Sequence, residues 1–303
     1  MSRQTNPSVS LVLGSGGARG LAHIGVIHWL EEHGYRIASI AGSSMGALIG
    51  GVYAAGKLDE FERWVRAISK LDILTLLDLS WSKHGLVKGD KVINTLINLV
   101  GDITIESLPI RYTAVAVDID REKEVWINRG RLFDAIRASI SLPMFFTPHR
   151  HNGAALIDGG VLNPVPIAPT FGDHTDLCIA VNLAGKLAEE TKPATPPAST
   201  SENGGFSDKI GSFINQLKQK IDLPQQIDWG AYDIANQAFD AMQSSIARQK
   251  LAAYPPDHTI EIPRNICKIF EFDRADELIT LGYQKAHEHF VDHLAHKQKS
   301  RKG

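Results

Sequence analysis

The stretch Ala41-Gly-Ser-Ser-Met-Gly46 joins two segments of different character. The short apolar run Ile37–Ala41 predicts a buried strand, and the run Ala47–Gly56 that follows is compatible with a helix. The glycines of this Gly42-x-Ser44-x-Gly46 pattern allow a turn too tight for side chains, which would leave the Ser44 hydroxyl exposed at a helix N-terminus. Backbone N–H groups and the helix dipole favour developing negative charge there. The pattern alone fits either a nucleophile or a plain turn of small residues.

The composition is that of an ordinary soluble globular protein. The 303 residues are 43% hydrophobic and 22% charged, and the formal net charge of −2 predicts no binding to nucleic acid and no general attraction to anionic membranes. No apolar run approaches the roughly 20 residues that span a bilayer, and Val9–Leu13 is too short for a signal-peptide core. Cys178 and Cys267 predict buried thiols rather than a disulfide or a metal pair. We therefore expect a cytoplasmic enzyme.

A second glycine-rich turn lies earlier in the chain. Val9–Leu13 predicts a buried strand that runs into Gly14-Ser-Gly-Gly-Ala-Arg-Gly20 and then into the helical pattern Leu21–Gly34. Such a loop presents backbone N–H groups to an anion. It is a poor dinucleotide-binding fingerprint, because Ser15 takes the place of a first glycine and the second strand does not end in an acidic residue. The chain has no P-loop pattern, and a glycine turn without a ligand remains an alternative.

The two turns follow consecutive strand–turn–helix units. This order predicts that both lie at the carboxyl ends of neighbouring parallel strands. One turn offers a set of backbone amides and the other offers a raised hydroxyl group. These are the two halves of an acyl-transfer site, an oxyanion hole and a nucleophile.

A nucleophilic Ser44 needs a base, because a free hydroxyl group is a weak nucleophile. In the usual α/β-hydrolase layout the base is a histidine that follows the serine. The candidates include His84, His149, His151, His174 and His258, none of them in a catalytic type of turn. Asp158 is the better candidate, since it ends a predicted strand and would project from the same sheet edge as Ser44. Asp-Gly-Gly is also a common turn.

The remaining segments predict a mixed α/β chain. Helical patterns cover Leu58–Lys70, Lys91–Val100, Arg131–Ser141, Trp229–Leu251 and Ala275–Leu294. Strand patterns cover Arg111–Val117, Ala154–Ile157, Asp176–Leu183, Thr259–Ile262 and Cys267–Phe272. The run Asp118–Asn128 predicts a turn and a second strand, and therefore an antiparallel hairpin.

Two segments lack any periodic pattern. Residues 184–205 are rich in Pro, Ser, Thr, Glu and Lys, and predict an exposed or disordered insert. A helix with an apolar face from Phe206 to Ile221 follows, and it fits either core packing or contact with the site or with lipid. The basic residues 296–303 predict a solvated, disordered tail.

Three motifs in a fixed order resemble those of the patatin-like phospholipases: Gly14-Ser-Gly-Gly-Ala-Arg-Gly20, Gly42-x-Ser44-x-Gly46 and Asp158-Gly-Gly160. The resemblance is greatest to bacterial members related to the catalytic domain of neuropathy target esterase. It covers roughly residues 8–185, and Phe272–Gly282 is similar to the end of those bacterial chains. It implies one domain over residues 8–295, with a three-layer α/β/α fold and a mainly parallel central sheet.

The resemblance also implies a mechanism without histidine. Ser44 would attack an ester carbonyl, and Asp158 would accept its proton and later activate the deacylating water. Amides of Gly16 and Gly17, with Arg19 nearby, would form the oxyanion hole. The motif-supporting glycines are Gly14, Gly20, Gly42, Gly46, Gly159 and Gly160. A carboxylate with an ordinary pKa near 4 is a weak base, so the dyad requires hydrogen-bond contact in a dry pocket.

One position departs from the family pattern. Many relatives carry glycine where this chain has Ser15. A positive φ at Ser15 would be strained by about 1–3 kcal/mol. Because Gly16, Gly17, Arg19 and Gly20 are present, we expect the oxyanion hole to be retained.

The expected substrates are lipid carboxylic esters, with phospholipid or lysophospholipid as the leading class by resemblance. No cofactor or metal is expected, and calcium is not implied because no calcium-loop pattern occurs. We expect at most a transient, peripheral contact with the inner membrane surface, and the oligomeric state is left open. Two alternatives remain: a generic α/β-hydrolase with a histidine base, and a lipid-binding or regulatory module with little or no catalysis.

Overall fold

One sheet forms the centre of the protein in a computed structural model that describes residues 6–76, 87, 89–188 and 229–300. The strands in this part of the chain are β1 (Ser8–Leu13), β2 (Arg36–Ser43), β3 (Arg111–Asp118), β4 (Lys123–Ile127), β5 (His149–His151), β6 (Ala154–Asp158), β7 (Leu177–Gly185) and β8 (His258–Pro263). They follow the order β5-β6-β3-β2-β1-β7-β8, with β4 paired to β3.

The middle of this sheet is parallel. The pairs β3–β2, β2–β1, β1–β7 and β7–β8 are parallel, whereas β4 and β6 run antiparallel to β3, and β5 runs antiparallel to β6. All of β1 is buried, as expected for a parallel strand covered on both faces. The mainly parallel sheet and the hairpin after Asp118, both predicted from the sequence, are confirmed.

Helices flank the sheet. In the described residues they are α1 (Ala22–Glu32), α2 (Met45–Ala54), α3 (Leu58–Ala67), α4 (Lys70–Leu76), α5 (Asp90–Val100), α6 (Leu132–Ser139), α7 (Trp229–Ala253) and α8 (Ala275–Ser300). The apolar faces of α1, α2, α3, α5, α6 and α8 join the strands in one large core, and Ala247 of α7 lies in a second, smaller cluster. This architecture confirms the predicted α/β fold class. Of these helices, none is both long and apolar enough to cross a membrane.

The chain falls into two compact units. The first contains the described residues up to Ala188 and from Asp240 onward, and therefore the sheet. The second, Glu189–Phe239, is described only from Trp229, where α7 begins. Most of the predicted insert at 184–205, and the helix predicted from Phe206, thus lie outside the described residues. Positions 184 and 185 belong to β7, and positions 186–188 follow it as exposed residues outside any helix or strand. A single domain over residues 8–295 remains a prediction.

The strand predicted at Cys267–Phe272 is wrong. The chain turns there and enters a short 3₁₀ helix, Phe272–Arg274. The carbonyl of Ile269 accepts a hydrogen bond from the amide of Ala18 at 2.9 Å, and that of Ile266 accepts one from the Arg274 guanidinium at 2.7 Å. The backbone groups of this segment therefore bond to a loop and a side chain instead of a neighbouring strand.

The predicted start of a disordered tail, residue 296, lies too early in the chain. Helix α8 continues to Ser300. Ala, Lys and Gln are good helix formers, and lysines near a helix C-terminus interact favourably with the helix dipole. Local helix propensity thus outweighs the charge that suggested a solvated tail. Residues 301–303 lie outside the described part of the chain.

Helices α1 and α8 meet through two glycines. A Cβ atom at Gly25 would lie 1.9 Å from the carbonyl oxygen of Ile279, and one at Gly282 would lie 1.9 Å from that of Ala22. Both distances are far below van der Waals contact, so the two backbones approach where side chains are absent. Since α1 begins directly after the glycine-rich loop, this contact also fixes one end of that loop.

We predict that Gly25→Ala destabilises the protein by about 1–3 kcal/mol. The new methyl group overpacks the contact between the helices, and this costs more free energy than alanine gains over glycine in helix propensity. Urea denaturation measures the change. Gly172→Ala is the matched control, since Gly172 has no atom within 4 Å of an added Cβ and no positive φ, and we expect a change within about 0.5 kcal/mol. Equal stability of Gly25→Ala and wild type would contradict the close approach.

Candidate active site

The register of β3 places the ends of β2 and β6 next to each other. Val115 of β3 pairs with Ser43 of β2, and Ala116 pairs with Asp158 of β6. Both of these β3 residues also pair with β4, which occupies one side of β3. Strands β2 and β6 must therefore share the other side, with β6 continuing the pairing where β2 ends. This pairing brings Ser44, the first residue after β2, beside Asp158.

Ser44 occupies a sharp turn between β2 and α2. Its backbone has φ 55° and ψ −124°, a conformation that is costly for a residue other than glycine. The flanking glycines make the turn possible: a Cβ at Gly42 would lie 2.4 Å from the carbonyl oxygen of Gly46, and one at Gly46 would lie 2.0 Å from that of Leu13. The strained turn raises the hydroxyl of Ser44 at the N-terminus of α2.

A second serine holds this strained backbone. The amide of Ser44 donates a hydrogen bond to Oγ of Ser139 at 2.9 Å. The Ser139 hydroxyl in turn donates to the carbonyl oxygen of Val115 on β3 at 2.6 Å. Both groups are buried, so each bond satisfies a polar atom that water does not reach. Ser139 thus ties the turn to β3, the strand that pairs with the one carrying Asp158.

The Ser44 hydroxyl donates a hydrogen bond to Oδ2 of Asp158 at 2.5 Å. The other carboxylate oxygen accepts the amide of Gly160 at 2.7 Å, and the amide of Asp158 donates to the carbonyl of Ser141 at 2.9 Å. Burial raises the pKa of Asp158 to about 7, against the opposing effect of the hydrogen bonds from Ser44 and Gly160. A carboxyl group with this pKa is close to half ionised at neutral pH.

Among the described histidines, none is hydrogen-bonded to Ser44 or Asp158. His149 and His151 lie on β5, His174 is exposed, and His258 lies 3.1 Å from His289 at the start of β8. His84 lies outside the described residues. Within the described residues, the structure thus brings Asp158, rather than one of these histidines, into hydrogen-bond contact with Ser44.

The glycine-rich loop is held by hydrogen bonds to peptide groups on both sides of its centre. The amide of Ser15 donates to the carbonyl of Pro164 at 2.8 Å, and the amide of Ala18 donates to that of Ile269 at 2.9 Å. Between them, the amides of Gly16 and Gly17 donate to no acceptor in the described part of the chain. The loop therefore offers two adjacent N–H groups to a ligand with negative charge.

His23 fixes one peptide of this loop and was not singled out from the sequence. Its Nε2 lies 2.9 Å from the carbonyl oxygen of Gly14, which can only accept, so Nε2 carries the hydrogen. Burial lowers the pKa of His23 to about 4, against the opposing effect of that bond, and the ring is neutral at neutral pH. Within the described residues, Nδ1 of His23 has no hydrogen-bond partner.

The glycines of the loop are required by close neighbours. Gly17 has φ 56°, and a Cβ there would lie 2.4 Å from Cγ1 of Ile269. A Cβ at Gly16 would lie 2.7 Å from the side chain of Leu183, and one at Gly20 would lie 2.4 Å from Cβ of Met45. The last contact packs the loop directly against the turn that carries Ser44.

The loop also touches the Asp-Gly-Gly turn. A Cβ at Gly160 would lie 2.3 Å from Oγ of Ser15. Ser15 does not have a positive φ, so the strain considered for this position does not arise. Its hydroxyl accepts a hydrogen bond from Nε2 of Gln243 on α7 at 3.1 Å. The three motifs singled out from the sequence are therefore in mutual contact at one sheet edge.

Arg19 is buried, and its guanidinium bonds to groups of the protein. Nε donates to the carbonyl of Gly16 at 3.0 Å, one terminal nitrogen donates to the carbonyl of Arg264 at 2.9 Å, and the other forms an ion pair with Asp240 at 2.8 Å. These three bonds tie the loop to two distant segments. The side chain, which the resemblance places near the oxyanion hole, thus holds the glycine-rich loop.

An apolar wall lies beside the loop, formed by Ile269, Phe270 and Phe145. The side chain of Ile269 covers Gly17, and the ring of Phe270 lies 4.3 Å from that of Phe145, centroid to centroid. Phe145 follows shortly after Ser141, whose carbonyl accepts the amide of Asp158. The wall therefore connects the glycine-rich loop with the segment that supports the carboxylate.

A sequence profile of the patatin-like phospholipases matches residues 11–171, just over half of the chain. The chain belongs to the patatin-like phospholipase family. This confirms the resemblance based on the three motifs, all of which lie within the match. Among its patatin-like relatives, an NTE family protein of Mycobacterium bovis is 40% identical, and the alignment covers 92% of this chain and 90% of that protein.

More distant relatives match a smaller region. The lysophospholipase NTE1 of Saccharomyces cerevisiae is 32% identical over 58% of this patatin-like chain, which corresponds to 11% of the yeast protein. Among solved structures, VipD from Legionella pneumophila shares 13% identity, with a TM-score of 0.47 and coverage of 95% of this chain and 67% of VipD.

We predict that Asp158→Asn stabilises the protein at pH 8 and that this gain shrinks as the pH falls. The pKa of Asp158 is about 7 in the folded state against 3.8 for a free side chain, so the folded state binds the proton more tightly. The stability from this proton is present below pH 4 and is lost as the pH rises to 7. The difference between pH 8 and pH 4 should be on the order of 2–4 kcal/mol, measured by urea denaturation.

Ser44→Ala is the matched control for this measurement. It removes the hydroxyl group but keeps the buried carboxyl, so the pH dependence due to Asp158 should persist. Identical pH dependence of stability in wild type and Asp158→Asn would show that the carboxyl does not hold its proton to neutral pH.

Proposed function

We propose that the chain hydrolyses lipid carboxylic esters through a Ser44–Asp158 dyad and an acyl-enzyme intermediate. The observation that carries the proposal is the 2.5 Å hydrogen bond from Ser44 Oγ to Asp158 Oδ2. Membership of the patatin-like phospholipase family supports the reaction class. The names of the fungal relatives, lysophospholipases, support lysophospholipid or phospholipid as the substrate class.

In the acylation step, Asp158 takes the proton from the Ser44 hydroxyl while Oγ attacks the ester carbonyl carbon. The carbonyl oxygen becomes an anion and is stabilised by the amides of Gly16 and Gly17. When the tetrahedral intermediate collapses, the bond to the alcohol oxygen breaks, and that oxygen takes the proton from Asp158. The products of this step are the free alcohol and acylated Ser44.

In the deacylation step, Asp158 takes a proton from a water molecule that attacks the acyl carbonyl. The same amides stabilise the second oxyanion. Collapse releases the fatty acid and returns the proton from Asp158 to Ser44 Oγ. Each cycle therefore consumes one water and one ester, and yields one alcohol and one carboxylic acid.

The raised pKa of Asp158 supports its role as the base. A carboxylate with a pKa near 4 would hold a serine proton poorly, whereas a pKa of about 7 suits proton transfer at neutral pH. The cause is burial, since Asp158 is only 1% exposed and its carboxylate is bonded to Ser44 and Gly160 alone in the described residues. The same dry environment strengthens the oxyanion contacts.

We predict that Ser44→Ala and Asp158→Asn each abolish release of p-nitrophenol from a medium-chain acyl ester. Ser44→Ala removes the nucleophile, and Asp158→Asn leaves no group that accepts its proton. Initial rates, with folding checked by circular dichroism, measure the effect, and each loss should be at least about 10³-fold. A serine-reactive phosphonate should label wild type and leave Ser44→Ala unlabelled.

Other results would direct the assignment elsewhere. Activity retained in folded Asp158→Asn would exclude the dyad and favour a histidine base, which His→Ala variants would identify. A wild type that hydrolyses neither p-nitrophenyl esters nor lysophospholipid, and that is not labelled by the phosphonate, would favour a lipid-binding module on this fold.

The apolar wall supports an acyl chain as one part of the substrate. It provides half-buried aromatic and aliphatic surface next to the loop that is proposed to bind the ester oxygen. Each methylene group buried there contributes about 0.8 kcal/mol to binding. An enzyme with such a surface favours long acyl chains over short ones.

We predict that Phe270→Ala lowers the ratio of kcat/KM for p-nitrophenyl decanoate over the butyrate by about 5- to 10-fold, because the longer chain loses apolar contact. Phe171→Ala is the matched control, since Phe171 is an exposed aromatic that packs against Tyr254 at 5.3 Å and is not part of the wall. An unchanged ratio in Phe270→Ala would place the acyl chain elsewhere.

A further inference from the structure

Asp240 contacts the glycine-rich loop from a segment without any recognised motif. It lies on α7, beyond the region that matches the family profile. Its Oδ1 atom accepts a hydrogen bond from a terminal nitrogen of Arg19 at 2.8 Å. One helical turn later, Gln243 donates to Oγ of Ser15 at 3.1 Å. Helix α7 therefore holds the loop at two points.

The bond from Arg19 to Gly16 determines where the Gly17 amide points. A trans peptide is planar, and its C=O and N–H groups point in opposite directions. Nε of Arg19 holds the carbonyl oxygen of Gly16 at 3.0 Å, so the N–H of Gly17, in the same peptide, is directed away from the guanidinium. This N–H is one of the two amides without a protein acceptor in the described residues.

Arg19 depends on Asp240 for its charge balance. The Arg19 side chain is 5% exposed, and burial of an unpaired guanidinium is costly. In the described part of the chain, Asp240 is the acidic residue that forms an ion pair with it. The other two acceptors, the carbonyls of Gly16 and Arg264, carry no net charge. Without the Asp240 carboxylate, the guanidinium loses its ion-pair partner and is held less firmly in the position that fixes the carbonyl of Gly16.

We propose that Asp240 is a positioning residue of the oxyanion loop. It fixes the guanidinium of Arg19, which fixes the Gly16–Gly17 peptide with its N–H group turned towards the reacting carbonyl. The inference rests on the proposed function of the Gly17 amide. It adds an element that the motifs do not contain, because the correct orientation of an oxyanion donor depends on a carboxylate more than 200 residues away along the chain.

The test compares Asp240→Asn, Asp240→Glu and wild type with p-nitrophenyl esters. Because the oxyanion exists only after attack, a misdirected amide should lower kcat and leave KM unchanged. We expect kcat of Asp240→Asn to fall roughly tenfold, less than the about 10²–10³-fold loss on removal of an oxyanion donor, with KM within about twofold. The Glu variant, which keeps the charge, should recover most of the loss.

Inhibition by an aryl trifluoromethyl ketone provides a second readout, since this compound forms a tetrahedral adduct with the nucleophilic serine. Its inhibition constant should rise in Asp240→Asn by the same factor as kcat/KM falls. Formate added to Asp240→Ala should restore part of kcat, and this variant also serves if Asp240→Asn does not fold. A residue needed only for folding would show neither response.

Asp102→Asn is the matched control. Asp102 forms an ion pair with Arg131 at 2.8 Å, and its side chain is 51% exposed against 41% for Asp240, but it lies outside the loop. We expect its kcat to equal that of wild type. An active wild type with unchanged kcat in Asp240→Asn, or with loss of kcat that neither glutamate nor formate reverses, would overturn this inference alone. An inactive wild type would overturn the proposed function and this inference together.

Discussion

The hydrogen bond between Ser44 and Asp158 depends on one constraint, the length of β3 beyond the end of β2. Val115 is the last β3 residue that pairs with β2, and the next residue, Ala116, is the first β3 residue that pairs with β6. The antiparallel strand β6 thus pairs with the part of β3 that extends beyond the end of the parallel strand β2. The carboxylate arrives from a part of the chain more than 100 residues away and still meets the hydroxyl at 2.5 Å. Sheet register brings Asp158 beside the turn, and the conformation of the turn directs the Ser44 hydroxyl towards it.

In the proposed mechanism, the same constraint explains why a single carboxylate suffices as partner of the serine. In a site with a histidine base, the imidazole has a pKa near neutrality by nature. Asp158 reaches a pKa of about 7 because the strand that carries it is buried in the sheet. The cost is a less stable fold at neutral pH. Ser139 and the amide of Gly160 offset part of the remaining strain, since each satisfies a buried group at the turn or at the carboxylate.

Sequence patterns predicted the elements whose role is local. Gly42, Ser44 and Gly46 form a turn between a strand and a helix that their own residue types favour, so Ser44, the proposed nucleophile, could be placed without the structure. Asp158 could be placed because it ends a short apolar strand. Ser139 and Asp240 could not, because each is connected to the site by hydrogen bonds to residues distant in sequence. The strand wrongly predicted at Cys267–Phe272 has the same origin, because its residue Ile269 contacts Gly17 and Ala18 of the distant glycine-rich loop instead of joining the sheet.

The glycine-rich loop has many accessible backbone conformations by composition, but hydrogen bonds to its peptide groups hold it in one. The glycines allow the loop backbone to lie close to Leu183 and Ile269, but the absence of side chains does not determine the direction of an N–H group. Direction comes from the carbonyls: His23 holds that of Gly14, and Arg19 holds that of Gly16. Because the peptide unit is planar, a hydrogen bond that fixes the carbonyl oxygen of one residue also fixes the direction of the N–H group of the next residue. The Gly17 amide, which has no acceptor in the described residues, is therefore oriented before any substrate arrives. Such preorganisation is the condition under which hydrogen bonds to an oxyanion lower a barrier instead of merely binding an ester.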